Sequence, residues 1–272
     1  MLLRKLARHV RNQDWSLVCI EVLIVVVGIF IALQVEGWNE QRKDVALERQ
    51  YLARLQNDFE CLLETEESRL RWNDVRLTHG TLLREVINNK RLPDDARRNF
   101  EYGLYLLGIV NRARLSWGTV EELRATGNIQ LIRDWSLRQH LTDVENEFKW
   151  NERYEDERAE MALHYREELN KHYSVVATPE PRPDKPLKID YDESVFWSNP
   201  VLANMIVRLV EYQEQADQNF RANIARLEGL RDHIAEIRND QFGDAGEADG
   251  RQVDSCTSYV RQTEVSRLPE LD

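Results

Sequence analysis

Between Trp15 and Val35 the chain reads WSLVCIEVLIVVVGIFIALQV, an apolar run interrupted only by Glu21 and Gln34. About 20 such residues are what an α-helix needs to cross ~30 Å of hydrocarbon. Trp15 and Trp38 stand at its two ends, where indole rings favour the headgroup level. The run predicts a transmembrane helix over 15–37. Beyond it the pattern turns amphipathic, with Val45, Tyr51, Leu52, Leu55, Phe59, Leu62 and Leu63 spaced at threes and fours. Gly and Pro are absent between Gly37 and Gly80, so the helix is predicted to run on to about Lys90, with Asn88, Asn89 and Pro93 ending it.

Asp94 is a candidate cap for a second helix bearing Phe100, Leu104, Leu107 and Val110. Ser116 or Thr119 opens a short helix, TVEELRAT, with Gly127 as a left-handed stop. Asp134 can cap a long helix to about Tyr173, striped by Trp135, Leu137, Leu141, Val144, Phe148, Tyr154, Met161 and Tyr165. TPEPRPDKP then favours extended, polyproline-like chain. A last helix follows from Pro200 to near Gly243, with Leu202, Ile206, Leu209, Tyr212, Phe220, Ile224, Leu227, Leu230, Ile234 and Ile237 as its apolar positions. The predicted fold is all-α: a transmembrane helix continuing into an elongated antiparallel helical bundle over 38–242, with a Pro-rich crossing at 178–200. A basic tail (1–14) precedes it, and a Gly- and Asp-rich tail (243–272) is expected to be loosely ordered.

Composition narrows the function. Eleven Gly and seven Pro in 272 residues are too few for an all-β or doubly wound α/β chain. A net charge of -11 argues against nucleic acid as a partner, because phosphate binding requires a concentrated basic surface. The apolar core of the span exceeds the ~7–15 residues of a signal-peptide core, so the anchor is expected to be retained. Arg4, Lys5, Arg8 and Arg11 favour a cytoplasmic N-terminus, which places residues 38–272 outside the cytoplasm.

Within the span, Glu21, Gly28, Ala32 and Val35 share one helical face. Gly28 and Ala32 form a small-xxx-small pair that lets a second helix approach closely. Glu21 either finds a partner on that helix or pairs with the basic tail, and both readings stand. Outside the span, Glu160, His164, Glu168 and His172 recur every four residues and are predicted to align along one helical stripe. The ferritin-like Glu-x-x-His pattern is missing, so the stripe reads as a solvated charged face rather than a metal site. Asp190, Asp192 and Glu193, and Asp244, Glu247, Asp249 and Asp254, match no helix-loop-helix calcium pattern. Nucleophile-elbow, phosphate-loop and zinc-protease motifs are missing too, and the chain reads as a non-enzyme without a cofactor. Of three cysteines, Cys19 falls in the span; Cys61 and Cys256 would share an oxidising compartment. A Cys61–Cys256 bridge would stabilise by roughly 2–4 kcal/mol.

The blocks WNEQRKD and YLARLQNDF after the span, and TVEELRATGNIQLIRDWSLRQHL further on, carry a family resemblance. Gln34, Val35, Trp38, Asn39, Glu40, Tyr51, Leu52, Arg54, Leu55 and Asp58 fall where a family of uncharacterised bacterial single-pass inner-membrane proteins shows an apolar span, then Trp-Asn-Glu, then Tyr-Leu-x-Arg-Leu-x-x-Asp. The chain resembles that family over the anchor, the following helix and the central turn. The resemblance implies a bacterial inner membrane and supplies no catalytic residue. Two roles remain open: an interaction or scaffold protein that meets a protein partner through its bundle and spanning face, and an extracytoplasmic ligand-binding sensory bundle acting through a partner protein.

Overall fold

A computed structural model describes residues 15–107, 109, 117–176 and 188–243. The fold is all-α, with one small hairpin among the described residues. It divides into two compact units, Met1–Tyr51 and Leu52–Asp272, and the division falls inside the first helix, α1 (Trp15–Asn89, 75 residues).

In the first unit, every large apolar side chain described between Ile20 and Val35 is 44–64% exposed. One helix, near the N-terminus, is long and apolar enough among the described residues to cross a membrane, and none of its most apolar window is buried inside the protein. A core helix would be mostly buried, and this window is not. At its far edge the Arg42 guanidinium lies over the Trp38 ring, 4.0 Å from the centroid.

In the second unit α1 ends as the sequence predicts. Lys90 takes a left-handed conformation (φ 51°). Its N–H donates to the Ile87 carbonyl, and the Arg91 N–H reaches back to the Val86 carbonyl, both at 3.3 Å. This paired closure satisfies two carbonyls that the helix end would otherwise orphan.

Asp94 does not cap the next helix. It sits inside a 3-10 turn, Asp94–Ala96, whose capping position is Pro93, because the proline's fixed φ already starts the turn. Then come α2 (Arg97–Leu107) and α3 (Gly118–Ala125). The α3 start lies between the two predicted caps and uses the Trp117 position without a side-chain cap bond. Asp58 on α1 instead accepts the Thr119 N–H at 3.1 Å, supplying from another helix the oxygen that a cap would give. Gly127 is left-handed (φ 75°), as expected. The Asp134 carboxylate accepts the Leu137 N–H at 2.7 Å and opens α4 (Trp135–Leu169).

α4 stops four residues before the predicted Tyr173. The chain there forms β1 (Tyr173–Val176), paired antiparallel with β2 (Lys188–Tyr191), with Tyr173 opposite Tyr191 and Val176 opposite Lys188. Both strands are rich in aromatic and β-branched residues, and Ile189 is buried against the core, which outweighs the proline-rich composition between them. A helical turn, α5 (Val195–Ser198), was not predicted. Asn199 then accepts from the Val201 and Leu202 N–H groups and starts α6 (Pro200–Phe242), which ends at left-handed Gly243 (φ 63°). Residues 244–272 lie outside the described residues.

Cross-helix hydrogen bonds set the directions. Asn223 meets Glu66 and Asn73 meets Gln213, so α1 and α6 are antiparallel. Asn151 meets Asn223 and Tyr154 meets Gln215, so α4 and α6 are antiparallel as well. One apolar core gathers Leu83 and Val86 of α1, Phe100 and Leu104 of α2, Phe196 of α5, and Ile206 and Leu209 of α6. At the other end, Phe59, Trp117 and Phe148 pack edge to face at 5.6 and 5.2 Å.

Candidate ligand-binding cavity

Between these two apolar regions the buried stripes of α1, α4 and α6 all turn polar. On α1 the spacing that placed Phe59 inward continues through Glu66, Arg69, Asn73 and Arg76 before returning to Leu83. On α4 it runs through Asn151, Glu155 and Arg158, and on α6 through Gln213 and Asn223. Helical periodicity brings these groups to one level because each series keeps to the inward face.

Glu66, fully buried, takes the Arg69 Nη1 bond at 2.6 Å on Oε1 and the Asn223 Nδ2 bond at 2.9 Å on Oε2. Arg69 Nη2 reaches Glu155 at 2.5 Å, and the guanidinium stacks over Phe220 at 4.5 Å. Asn223 Oδ1 in turn accepts from Asn151 Nδ2 at 3.1 Å. Arg158 donates to the Tyr212 carbonyl, and Arg76 Nη1 donates to the Ile109 carbonyl at 2.8 Å.

The layer lines a half-open cavity of about 90 Å³. Arg69, Asn73, Arg76, Glu155, Arg158 and Gln213 form its polar wall, while Leu107, Ala162, Leu209 and Phe220 contribute apolar surface. Several polar atoms of that wall are buried without a protein partner: Nε of Arg69, Arg76 and Arg158, Nη1 of Arg158, Oδ1 of Asn73 and Oε1 of Gln213. Buried donors of this kind each cost about 1–3 kcal/mol, more when charged, unless something accepts from them.

Electrostatics sharpens the point. Burial, aided by the neighbouring Arg69 charge, brings the Arg76 guanidinium down to about 10. Burial also lowers Arg158 and raises the Glu155 carboxyl, against the pull of Arg69. Of these three arginines Arg69 is the one raised: Glu66 and Glu155 together outweigh its desolvation. Among the described residues three guanidiniums therefore face two carboxylates, the buried Glu66 and the partly buried Glu155, leaving one positive charge in excess.

The residues singled out by the sequence lie elsewhere. Gly28, Ala32 and Val35 are exposed on α1, and nothing lies within 4 Å of where a Gly28 β-carbon would stand. Glu21 is helical, and its side chain lies outside the described residues. Glu160 and His164 are exposed on α4, Glu168 pairs with Lys171, and His172 falls beyond the helix end at Leu169. The four-residue stripe is thus cut to three by the early helix stop. Among the described residues no group of three or more His, Cys, Asp or Glu is arranged to hold a metal ion. Asp192 accepts from the Ser194 N–H and hydroxyl, Glu193 pairs with Arg97 at 2.8 Å, and Asp190 faces Ser174 across the hairpin. Asp244, Glu247, Asp249 and Asp254 lie outside the described residues. Cys61 is disulfide-bonded; Cys256, with which the sequence pairs it, also lies outside them.

The cavity was missed because arginine and glutamate read as surface. The available signal was the register: Glu66, Arg69, Asn73 and Arg76 follow each other at three, four and three on a face that is apolar before and after them. Comparison with known proteins gives no family model, curated protein or solved structure that matches the chain.

Proposed function

We propose that the chain is a single-pass protein of the bacterial inner membrane, with a cytoplasmic N-terminus and a periplasmic helical domain that binds a small ligand and signals through a partner protein. The cavity between α1, α4 and α6, whose wall keeps several buried polar atoms without a protein partner, carries the ligand-binding part. It holds no nucleophile-and-base pair, so the reading is binding rather than catalysis. The anchor rests on the uncovered apolar segment: a contiguous apolar surface beyond a few hundred Å² is not left in water by a monomeric domain. The orientation rests on the basic residues before the span.

Thermal-shift screening of the full chain in mild detergent, against a library of small charged and neutral compounds, tests the binding role. A ligand should raise the melting temperature in a saturable manner. Ala216→Leu, which adds bulk at the cavity wall, should abolish the shift. A library without a single stabilising compound, or shifts that survive Ala216→Leu, would count against the reading.

A second role, as a scaffold meeting another helix in the bilayer, is favoured by the open Gly28–Ala32 face. Cysteine crosslinking at positions 28 and 32 in native membranes should trap a specific companion or a second copy. A span that crosslinks to nothing would remove this role.

A further inference from the structure

The ligand-binding reading leaves the class of ligand open, and the charge and shape of the cavity constrain it. Buried charges are ordinarily paired, because an isolated ion in a low-dielectric interior is strongly penalised. Here Arg69 is compensated by two carboxylates at 2.6 and 2.5 Å. Among the described residues Arg76 and Arg158 hydrogen-bond only to backbone carbonyls, of Ile109 and Tyr212, and keep partnerless donors. Arg158 also lies over the Tyr154 and Tyr212 rings, and Glu155, already bonded to Arg69, is the one carboxylate among them that acts on both. One negative charge would balance the layer.

Guanidinium forks match planar carboxylates in bidentate geometry, which gives both strength and orientation. Part of the cavity wall is alkyl and aromatic: Leu107, Ala162, Leu209 and Phe220, the last lying under the Arg69 guanidinium. A tetrahedral inorganic anion would satisfy the arginines and leave that wall in contact with charge. A volume of about 90 Å³ is well below the ~300–1,000 Å³ of drug-sized sites, so the part of the occupant held between the helices has only a few heavy atoms.

We infer that the cavity binds a short-chain monocarboxylate, its carboxylate held between Arg76 and Arg158 and its hydrocarbon end against Ala162 and Leu209, one turn from Arg158 and from Tyr212 respectively. This assignment rests on the cavity being a ligand site at all. Asn73 Oδ1 and Gln213 Oε1, acceptors at the same wall, disfavour a second negative charge. Glu155, which is bonded to Arg69 and acts on Arg76 and Arg158 too, does so as well.

The test uses the full chain in mild detergent and four probes at matched ionic strength: sodium butyrate, its neutral isostere butyramide, sodium phosphate and sodium chloride. Butyrate should raise the melting temperature along a saturable curve. Butyramide should need at least a ~10-fold higher concentration for the same shift, as expected from losing charged hydrogen bonds worth about 1.5–3 kcal/mol. Phosphate and chloride should give no saturable shift. Arg158→Gln should weaken butyrate by ~10-fold or more, with Arg76→Gln as the alternative if that variant does not fold. Arg84→Gln, which removes a partly exposed ion pair to Glu214, should leave binding unchanged.

Butyramide binding as tightly as butyrate would overturn the anion assignment while leaving a ligand site in place. Phosphate binding as tightly would overturn the carboxylate. Absence of any butyrate shift would overturn the inference outright, and the library screen then decides separately whether the cavity takes ligands.

Discussion

Replacing Glu66 by glutamine tests whether the buried arginine layer is held by charge. The substitution keeps the shape of the side chain and an oxygen for the Asn223 amide, but removes the negative charge 2.6 Å from Arg69. The side chains of the pair are 0% and 5% exposed, so solvent does little to screen the loss. Arg69 would retain only Glu155, while Arg76 and Arg158 stay charged beside it. Breaking a buried pair from one side costs about 3–5 kcal/mol, a large fraction of the ~5–15 kcal/mol that holds a typical domain together. Urea unfolding of the detergent-solubilised chain, followed by helical circular dichroism, reads this directly. With an m-value of about 2 kcal/mol/M the midpoint should fall by ~1.5–2.5 M. Glu67→Gln is the control, because Glu67 is 52% exposed and only 3.7 Å from an equally exposed Arg71; it should move stability by less than ~0.5 kcal/mol. Equal midpoints for the two variants would refute the claim that Glu66 neutralises a buried cation.

Other expectations follow from single sites. Lys90→Gly should stabilise by about 1 kcal/mol, since the left-handed backbone there suits glycine; a fall in the urea midpoint would contradict this. Gly103→Ala should destabilise despite the better helix former, because its β-carbon would stand 3.1 Å from the His79 carbonyl oxygen and 3.2 Å from Leu83 Cγ, and the same unfolding curve reads it. Burial holds the His79 imidazole below its usual value against the Asn99 backbone bond. A depressed folded value means that its contribution is complete above the unfolded value near ~6.5 and is lost as pH falls through the folded one. Melting temperature should therefore decline on acidification below pH ~6.5, and more shallowly in His79→Gln. Cys61, bonded in the fold, should be protected from alkylation until reductant is added, and Cys256→Ser should leave it freely labelled if those two residues form the bridge.

The sequence and the structure agree where local chemistry decides. Asp134 caps α4, Gly127 and Gly243 turn left-handed where helices stop, and α1 ends one residue from the predicted Lys90. They part where tertiary contacts decide. The four-residue strands at Tyr173 and Lys188 are too short for period-two alternation to stand out. Thr119 gains its capping oxygen from Asp58, 61 residues earlier, which no local motif reveals. The cavity depends on Arg69, Arg158 and Tyr212 meeting from three helices, and each charge by itself reads as surface. The interruption of three apolar stripes at a common level is the trace such a site leaves in sequence.

The anchor is the premise from which the compartment of the cavity and the route of any signal follow. Alkaline carbonate extraction of native membranes, followed by protease added to intact spheroplasts, measures it most directly. The full chain should stay in the membrane pellet, and outside protease should remove the domain beyond residue 38. Release of the intact chain into the carbonate supernatant would contradict the anchor, and a domain shielded until the membrane is opened would contradict the orientation.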